Sequence, residues 1–261
     1  MTKKRPFFSI ITCTLNSQKY LEKNIKSVEN QTFKDFEQIF IDGNSGDKTV
    51  ALIKGYQKNY PHQVKLFQSQ PKGIADAMNL GIKKARGKFL IHLHSDDLFY
   101  DSKVLNDVHQ FLIKHTKYDW IYGQVNILKN SIPVGKVFPD WKIFQISWSY
   151  LLKFADFIPH QAVFIKKSVF AKHGLFDRDN PSAMDYELWL RIKDHTTWGY
   201  INRVISNFRI HPNSKSTGPI NFAKHIEARN QVQKTYSNPL EYLIIWTINQ
   251  WNDRRYKNRI S

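Results

Sequence analysis

Cysteine, glycine-rich nucleotide loops, long apolar runs and acidic residues are all scarce or missing here. A single cysteine, Cys13, stands in a chain of 261 residues, so an internal disulfide is excluded. Its place in the apolar run Phe8 to Thr14 predicts a buried structural thiol in a reducing compartment. That run is broken by Ser9 and Thr12 and is far too short to span a membrane or serve as a signal-peptide core, which predicts cytoplasmic synthesis without a transmembrane anchor. Neither G-x-G-x-x-G nor G-x-x-x-x-G-K-[ST] occurs, so a Rossmann dinucleotide site and a P-loop are both unsupported. Acidic residues number 22 against 39 Lys plus Arg, a formal charge of +17. Such a bias favours anionic partners: nucleic acid, phosphorylated substrates or an anionic membrane surface. Repeats and low-complexity tracts are absent, and aromatic residues make up 14%, which describes a folded protein rather than a disordered one. The length suits one large α/β domain, alone or with a small appendage.

What the chain does contain is organised around Gln70 to Asp97, QPKGIADAMNLGIKKARGKFLIHLHSDD. A turn at Pro71-Lys72-Gly73 leads into a helical pattern with Ile74, Ala77, Met78, Gly81 and Ile82 on one side. A short apolar strand, Phe89 to Leu93, then breaks into His94-Ser95-Asp96-Asp97. Ligands of open α/β sheets bind just beyond the carboxyl ends of such strands. Two adjacent carboxylates there call for a neutralising partner, and a hard divalent cation with a substrate phosphate suits their oxygens. The plainer alternative makes Asp96 and Asp97 solvated loop or capping residues ahead of the helix that Lys103 opens.

In chain order, Phe8 to Thr14 reads as a strand, Leu15-Asn16-Ser17 as a turn, and Lys19 to Asn30 as a helix, the start of a βαβ unit. A second strand, Gln38 to Ile41, ends in Asp42-Gly43-Asn44-Ser45-Gly46-Asp47 before a helix over Val50 to Lys58. Val64 to Gln68 is a third strand. A right-handed parallel sheet brings Asn16, Asp42 and the Asp96-Asp97 pair to one edge. Asp42 there suits ribose hydroxyls or the N3–H of a uracil. A nucleotide bound without a P-loop, its phosphates on a metal, is the reading these residues leave.

The segments SIITCTLNS, FIDGNSGDKT and GIADAMNLGIKKARGKFLIHLHSDD resemble the nucleotide-sugar half of family 2 glycosyltransferases with the GT-A fold. They are similar in particular to bacterial members that assemble cell-surface polysaccharides on lipid carriers. PHQAVFIKKSVFAKHGLFD from Pro159, SAMDYELWLRI from Ser182 and FRIHPNSKS from Phe208 resemble that family's acceptor half, so the likeness runs from about Phe8 to Ser216. It implies an α/β fold, a mostly parallel central sheet flanked by helices, with residues 1–216 as the transferase domain. Residues 1–100 would form its nucleotide-sugar half, 101–216 its acceptor half, and 217–261 a helical tail. It implies inverting transfer of a sugar from a nucleoside-diphosphate sugar to a glycan or lipid-linked acceptor, assisted by Mn²⁺ or Mg²⁺. By position, Thr14, Asn16, Asp42, Gly73, Asp76, Ser95 and Asp96 would bind the nucleotide sugar, and Asp96 and Asp97 with His211 the metal. Two departures stand out: His94 replaces the usual first acidic or amide residue of the metal motif, and Leu15 replaces an aromatic residue that stacks on the base.

In the acceptor half, Val104 to His115 reads as a helix, Trp120 to Leu128 and Val204 to Ile210 as strands. Phe138 to Phe157 gathers Trp141, Phe144, Trp148, Tyr150 and Phe154, either a sugar-binding wall or a core. Inversion needs a base opposite the leaving diphosphate. Asp185, in the first turn of the helix in MDYELWLRI, is that candidate, and the helix dipole favours its charge whether or not it is catalytic. Trp148, His160 and Glu187 are candidate acceptor contacts, with positioning of the base as the alternative for His160 and plain helix surface as that for Glu187. In the tail, Asn238-Pro239 opens a helix with Leu240, Leu243, Ile244, Thr247, Ile248 and Trp251 at three- and four-residue spacing, followed by the basic run Asp253 to Arg259. This predicts either a membrane-interface helix or one that packs on protein. A nucleic-acid module is unsupported, since neither an RNP-like run nor a helix-turn-helix signature is present. A nucleotide-sugar-forming nucleotidyltransferase would need a glycine-rich basic signature near its N-terminus, where this chain has only SIITCTLNS.

Overall fold

The computed structural model describes residues 5–129, 132–137, 148–211 and 219–260. The aromatic stretch from 138 to 147, residues 212–216 of the histidine motif, and the side chains of Trp148, Trp251 and residues 253–259 lie outside the described residues.

The N-terminal half alternates strand and helix: β1 (Phe8–Thr14), α1 (Gln18–Glu29), β2 (Phe36–Asp42), α2 (Thr49–Asn59), β3 (Val64–Gln68), α3 (Ile74–Lys84) and β4 (Phe89–His92). Every residue of β1, β2 and β4 is buried, as expected for parallel strands covered on both faces. Alternate residues of β1 part company: Ile11 and Cys13 join the cluster built with Met78 and Ile82 of α3, whereas Phe8 and Ile10 join Val28 of α1. Gly81 is required where α3 meets β1, since a Cβ there would lie 2.3 Å from Cγ2 of Ile11. The carboxyl ends align, with Thr14 opposite Asp42 and Asp42 opposite Gln68.

Then follow β5 (Leu98–Phe99), α4 (Val104–Lys114), β6 (Trp120–Lys129), β7 (Ile132–Val137), α5 (Trp148–Leu151), a 3-10 turn (His160–Ala162), β8 (Val163–Lys166), α6 (Lys167–His173), α7 (Met184–Ile192), β9 (Trp198–Ile210), α8 (Pro219–Tyr236) and α9 (Pro239–Ile260). Among the described residues nine strands form one sheet in the order β3-β2-β1-β4-β8-β6-β9-β5, with β7 beside β6. The parallel character expected from the sequence belongs to β3-β2-β1-β4 and to the pair β6-β9, while β8, β7 and β5 pair antiparallel. The sheet is therefore mixed. Strand β9 begins at Trp198 instead of Val204, because Gly199, Asn202 and Arg203 interrupt any apolar pattern while the backbone still pairs with β6. A stack of three indoles ties the second half together: Trp120 of β6 lies 5.1 Å from Trp189 of α7 and 4.9 Å from Trp198 of β9, nearly parallel to both.

Candidate active site

The edge formed by β1 and β2 centres on Asp42, which is fully buried. Its carboxylate accepts from Thr14 Oγ1 at 2.9 Å and from the N–H and hydroxyl of Ser45 at 2.9 and 2.6 Å. Asn16, in the left-handed region at φ 50°, joins the same loop: its N–H donates to Ser45 Oγ and its Oδ1 accepts from Gly46 N–H, both at 2.9 Å. Thus three of the expected nucleotide residues meet in one network. Gly73 precedes α3 at φ 117°, a conformation that a side chain would strain. Asp76, in the first turn of α3, pairs with Arg178 Nε at 3.1 Å. Together with Ser69, Gln70, Lys72 and Lys83 they line a cleft of about 360 Å³.

Beyond β4 the chain makes a tight turn that Asn24 of α1 holds from below. Its Nδ2 donates to the carbonyls of His94 and Asp97 at 2.8 and 2.9 Å, and Ser95 Oγ meets Ser17 Oγ at 2.8 Å. The two aspartates part here. Asp96 Oδ2 lies 3.0 Å from His211 Nε2 at the end of β9, whereas Asp97 turns inward and is 1% exposed. The Asp97 carboxyl accepts from the Arg209 N–H at 3.4 Å. Burial, then the charge of Asp96, pushes its pKa well above the usual carboxylate range. Tyr20 completes this corner, its ring 4.7 Å from that of His211 and under the Arg209 guanidinium. Among the described residues no group of three or more His, Cys, Asp or Glu side chains could enclose a metal. One carboxylate beside one imidazole nevertheless fits a Mg²⁺ or Mn²⁺ ion that keeps its other positions for water and substrate phosphate. Asp97 does not share in that donor pair.

Asp185 stands in the first turn of α7. Its Oδ1 accepts from the Tyr186 N–H at 2.9 Å, and its Oδ2 lies 2.9 Å from His160 Nδ1. Burial raises its pKa, but the hydrogen bond and charge of His160, the Tyr186 N–H and the charge of His225 outweigh this and bring it below the usual value. The His160 ring in turn meets that of His94 edge-on, 5.0 Å between centroids. His160 and the aspartate loop therefore face one another. Glu187, one helical turn beyond Ala183, is not brought to this group: Arg191 donates to both its oxygens at 3.0 and 2.9 Å, and the Tyr236 hydroxyl at 2.5 Å. It joins α7 to α8. Trp148 opens α5.

Several neighbours had no signal in the sequence. Asp156 lies beside Asp185, and its pKa is raised well above the usual range by burial and then by the charge of Asp185. His225 of α8 approaches Asp156 at 4.0 Å while its Nδ1 bonds the Ser182 carbonyl at 2.8 Å. Asn24, Tyr20 and Arg209 were likewise unmarked. Each is a lone polar or aromatic residue whose partners are distant in sequence, so no local pattern points to it.

The sequence and the fold have counterparts among known proteins. Over 187 residues the chain is 29% identical to a PGL/p-HBAD biosynthesis glycosyltransferase of Mycobacterium tuberculosis, covering 71% of this chain and 69% of that protein. It is 33% identical over 190 residues to a glycosyltransferase of the same species named as uncharacterized, covering 71% and 68%. Among solved structures, Staphylococcus aureus TarS in complex with UDP-GlcNAc superposes with a TM-score of 0.68 at 17% identity, over 88% of this chain and 71% of that one. Against a longer TarS chain the match spans only 42% of its length. The mannosyltransferase PcManGT of Pyrobaculum calidifontis, in complex with GDP-Man and Mn²⁺, superposes with a TM-score of 0.67 at 17% identity, over 93% and 68%. These likenesses establish the GT-A fold. With the model of the family Glycosyl transferase family 2 matching residues 9–169, the chain belongs to glycosyl transferase family 2.

Proposed function

We propose that this transferase moves a sugar, with inversion, from a nucleoside-diphosphate sugar to a hydroxyl of a glycan or lipid-linked acceptor in cell-surface polysaccharide synthesis. It would work in the cytoplasm, at the inner face of the membrane. The observation that carries this reading is the meeting of His94 with His160 at 5.0 Å, because it sets the turn that bears Asp96 beside the histidine that is bonded to Asp185. In this reading Thr14, Asn16, Asp42, Gly73, Asp76 and Ser95 bind the nucleotide sugar within residues 1–100, and residues 101–216 receive the acceptor. Asp96 and His211 would hold a Mn²⁺ or Mg²⁺ ion, whose chemistry is to stabilise the charge of the departing diphosphate. The neighbours' complexes with UDP-GlcNAc and with GDP-Man and Mn²⁺ support such a donor and such an ion.

Asp185 takes the proton of the acceptor hydroxyl as the new bond forms. The Tyr186 N–H and His160 fix the orientation of its carboxylate and keep it ionised. A second reading has its own observation: both Asp185 oxygens are engaged, while His160 Nε2 is buried with no hydrogen-bond partner among the described residues. His160 would then accept the proton and Asp185 would orient it, as in other carboxylate–imidazole pairs.

The test is nucleotide release from UDP-, GDP- and dTDP-sugars with and without Mn²⁺. One nucleotide should be released in a metal-dependent way, and Asp96→Ala should abolish both release and metal-dependent nucleotide binding. Unaltered affinity together with unaltered turnover in Asp96→Ala overturns the metal assignment.

A further inference from the structure

The outer surface of α9 is built the wrong way round for a helix in water. A surface helix normally turns its apolar stripe inward and its polar side out. Here the side that packs on α8 holds Asn249, 5% exposed, whose Nδ2 donates to Asn230 Oδ1 and Gln233 Oε1 at 2.9 Å each. Ile245, 1% exposed, is the apolar residue buried beside it. Leu240, Leu243, Ile244, Trp246 and Ile248 all face outward, from 39% to 69% exposed. The helix is not free to roll. Asn238 and Glu241 cap its start reciprocally, each side chain accepting from the other's N–H at 2.9 and 3.0 Å, in the manner of a capping box. Lys153 then pins Glu241 at 3.0 Å.

We infer that α9 docks on an anionic lipid surface, with these five side chains in the headgroup region. Three observations choose this occupant over a second copy of the chain. The patch spans only Leu240 to Ile248, whereas a stable protein interface takes about 20–30 residues a side; an interfacial helix needs to bury its apolar face only about 5–10 Å deep. Self-association would also bring together two chains of formal charge +17, which repel one another and are drawn to anionic lipid. Finally, α9 stays helical through Ile260, and the sequence of its last turns carries Arg254, Arg255, Lys257 and Arg259 against the single acid Asp253. Cations so placed are drawn to an anionic surface. Among the described residues no helix is long and apolar enough to cross a membrane, so the helix lies on the surface. The inference rests on the proposed function only for its purpose, which is to bring the cleft to a lipid-linked acceptor.

The test is co-sedimentation of the full-length protein, without donor or acceptor, with vesicles of phosphatidylcholine alone or mixed with phosphatidylglycerol. The mixed vesicles should bind, more weakly as salt rises, and the double variant Leu243→Glu, Trp246→Glu should lower partitioning at least tenfold. Circular dichroism and nucleotide release should be unchanged in that variant. Equal partitioning of the variant, no binding by either protein, or equal binding to neutral vesicles at all salt concentrations overturns the inference. So does a dimer in sedimentation equilibrium that the double variant dissolves. Vesicle binding without any nucleotide release leaves this inference standing and removes the functional one.

Discussion

At the scale of single residues, Asp185 and His160 carry the sharpest consequences. Asp185→Asn keeps the shape of the side chain and its contact with the Tyr186 N–H while removing basicity. Nucleotide binding should survive and turnover should fall by roughly two to four orders of magnitude; single-turnover assays beside nucleotide titrations check both. His160 acts on the pH dependence. Burial raises the pKa of Asp185 while the His160 hydrogen bond and charge lower it. His160→Phe removes the two lowering contributions of His160, leaves those of the Tyr186 N–H and the His225 charge, and so tips the balance toward the raising effect of burial. If Asp185 is the base, it then stays protonated to higher pH, so the acid limb of kcat/KM should move upward, with activity retained on the alkaline side. A loss equal to that of Asp185→Asn at every pH identifies His160 as the base instead. Asp96, Asp185, His160 and His211 were legible because each sits in a short motif with a chemical logic. Asp156 and His225 were not, because an acid in an irregular segment and a histidine in a helix acquire meaning only when α8 folds over α7.

At the scale of elements, the apolar runs of β1, β2 and β4 could be read directly, since strands buried on both faces need no alternation. Strand β8 and helix α6 were harder: VFIK and KSVFAKH are too short for either period to declare itself. In the tail the stripe from Leu240 to Ile248 was legible, but which way it faced was not, because a helical wheel records spacing and not neighbours. Helix α7 gives the element-scale prediction. Trp189 is 1% exposed, stacks on Trp120, and donates through Nε1 to the Ile158 carbonyl at 3.2 Å. It therefore couples the helix bearing Asp185 to the segment bearing His160. Trp189→Ala should cost about 3–5 kcal/mol, read from the urea midpoint. It should also lower turnover under conditions where the variant remains folded, because the helix bearing Asp185 and the segment bearing His160 lose their mutual support.

At the scale of the whole molecule, the mixed sheet was only half visible in the sequence. Parallel βαβ units announce themselves, but nothing local says that β9 will insert between β6 and β5. That insertion sets a timetable. Strand β5 pairs only with β9 among the described strands, Leu98 opposite Asn207, and the Asp97 carboxyl waits for the Arg209 N–H, 112 positions later. At about 5–20 residues per second of synthesis, roughly ten seconds separate the two. During that interval the aspartate loop lacks its ladder, and one edge of β6 lies open to unwanted pairing. Ribosome-stalled chains that expose β6 but not β9 should be cut by protease within residues 120–129, and chains that expose β9 as well should resist. In the proposed function the Asp96–His211 pair is thus complete only after the last strand has closed the sheet, so a half-made enzyme would lack the means of wasting activated sugar.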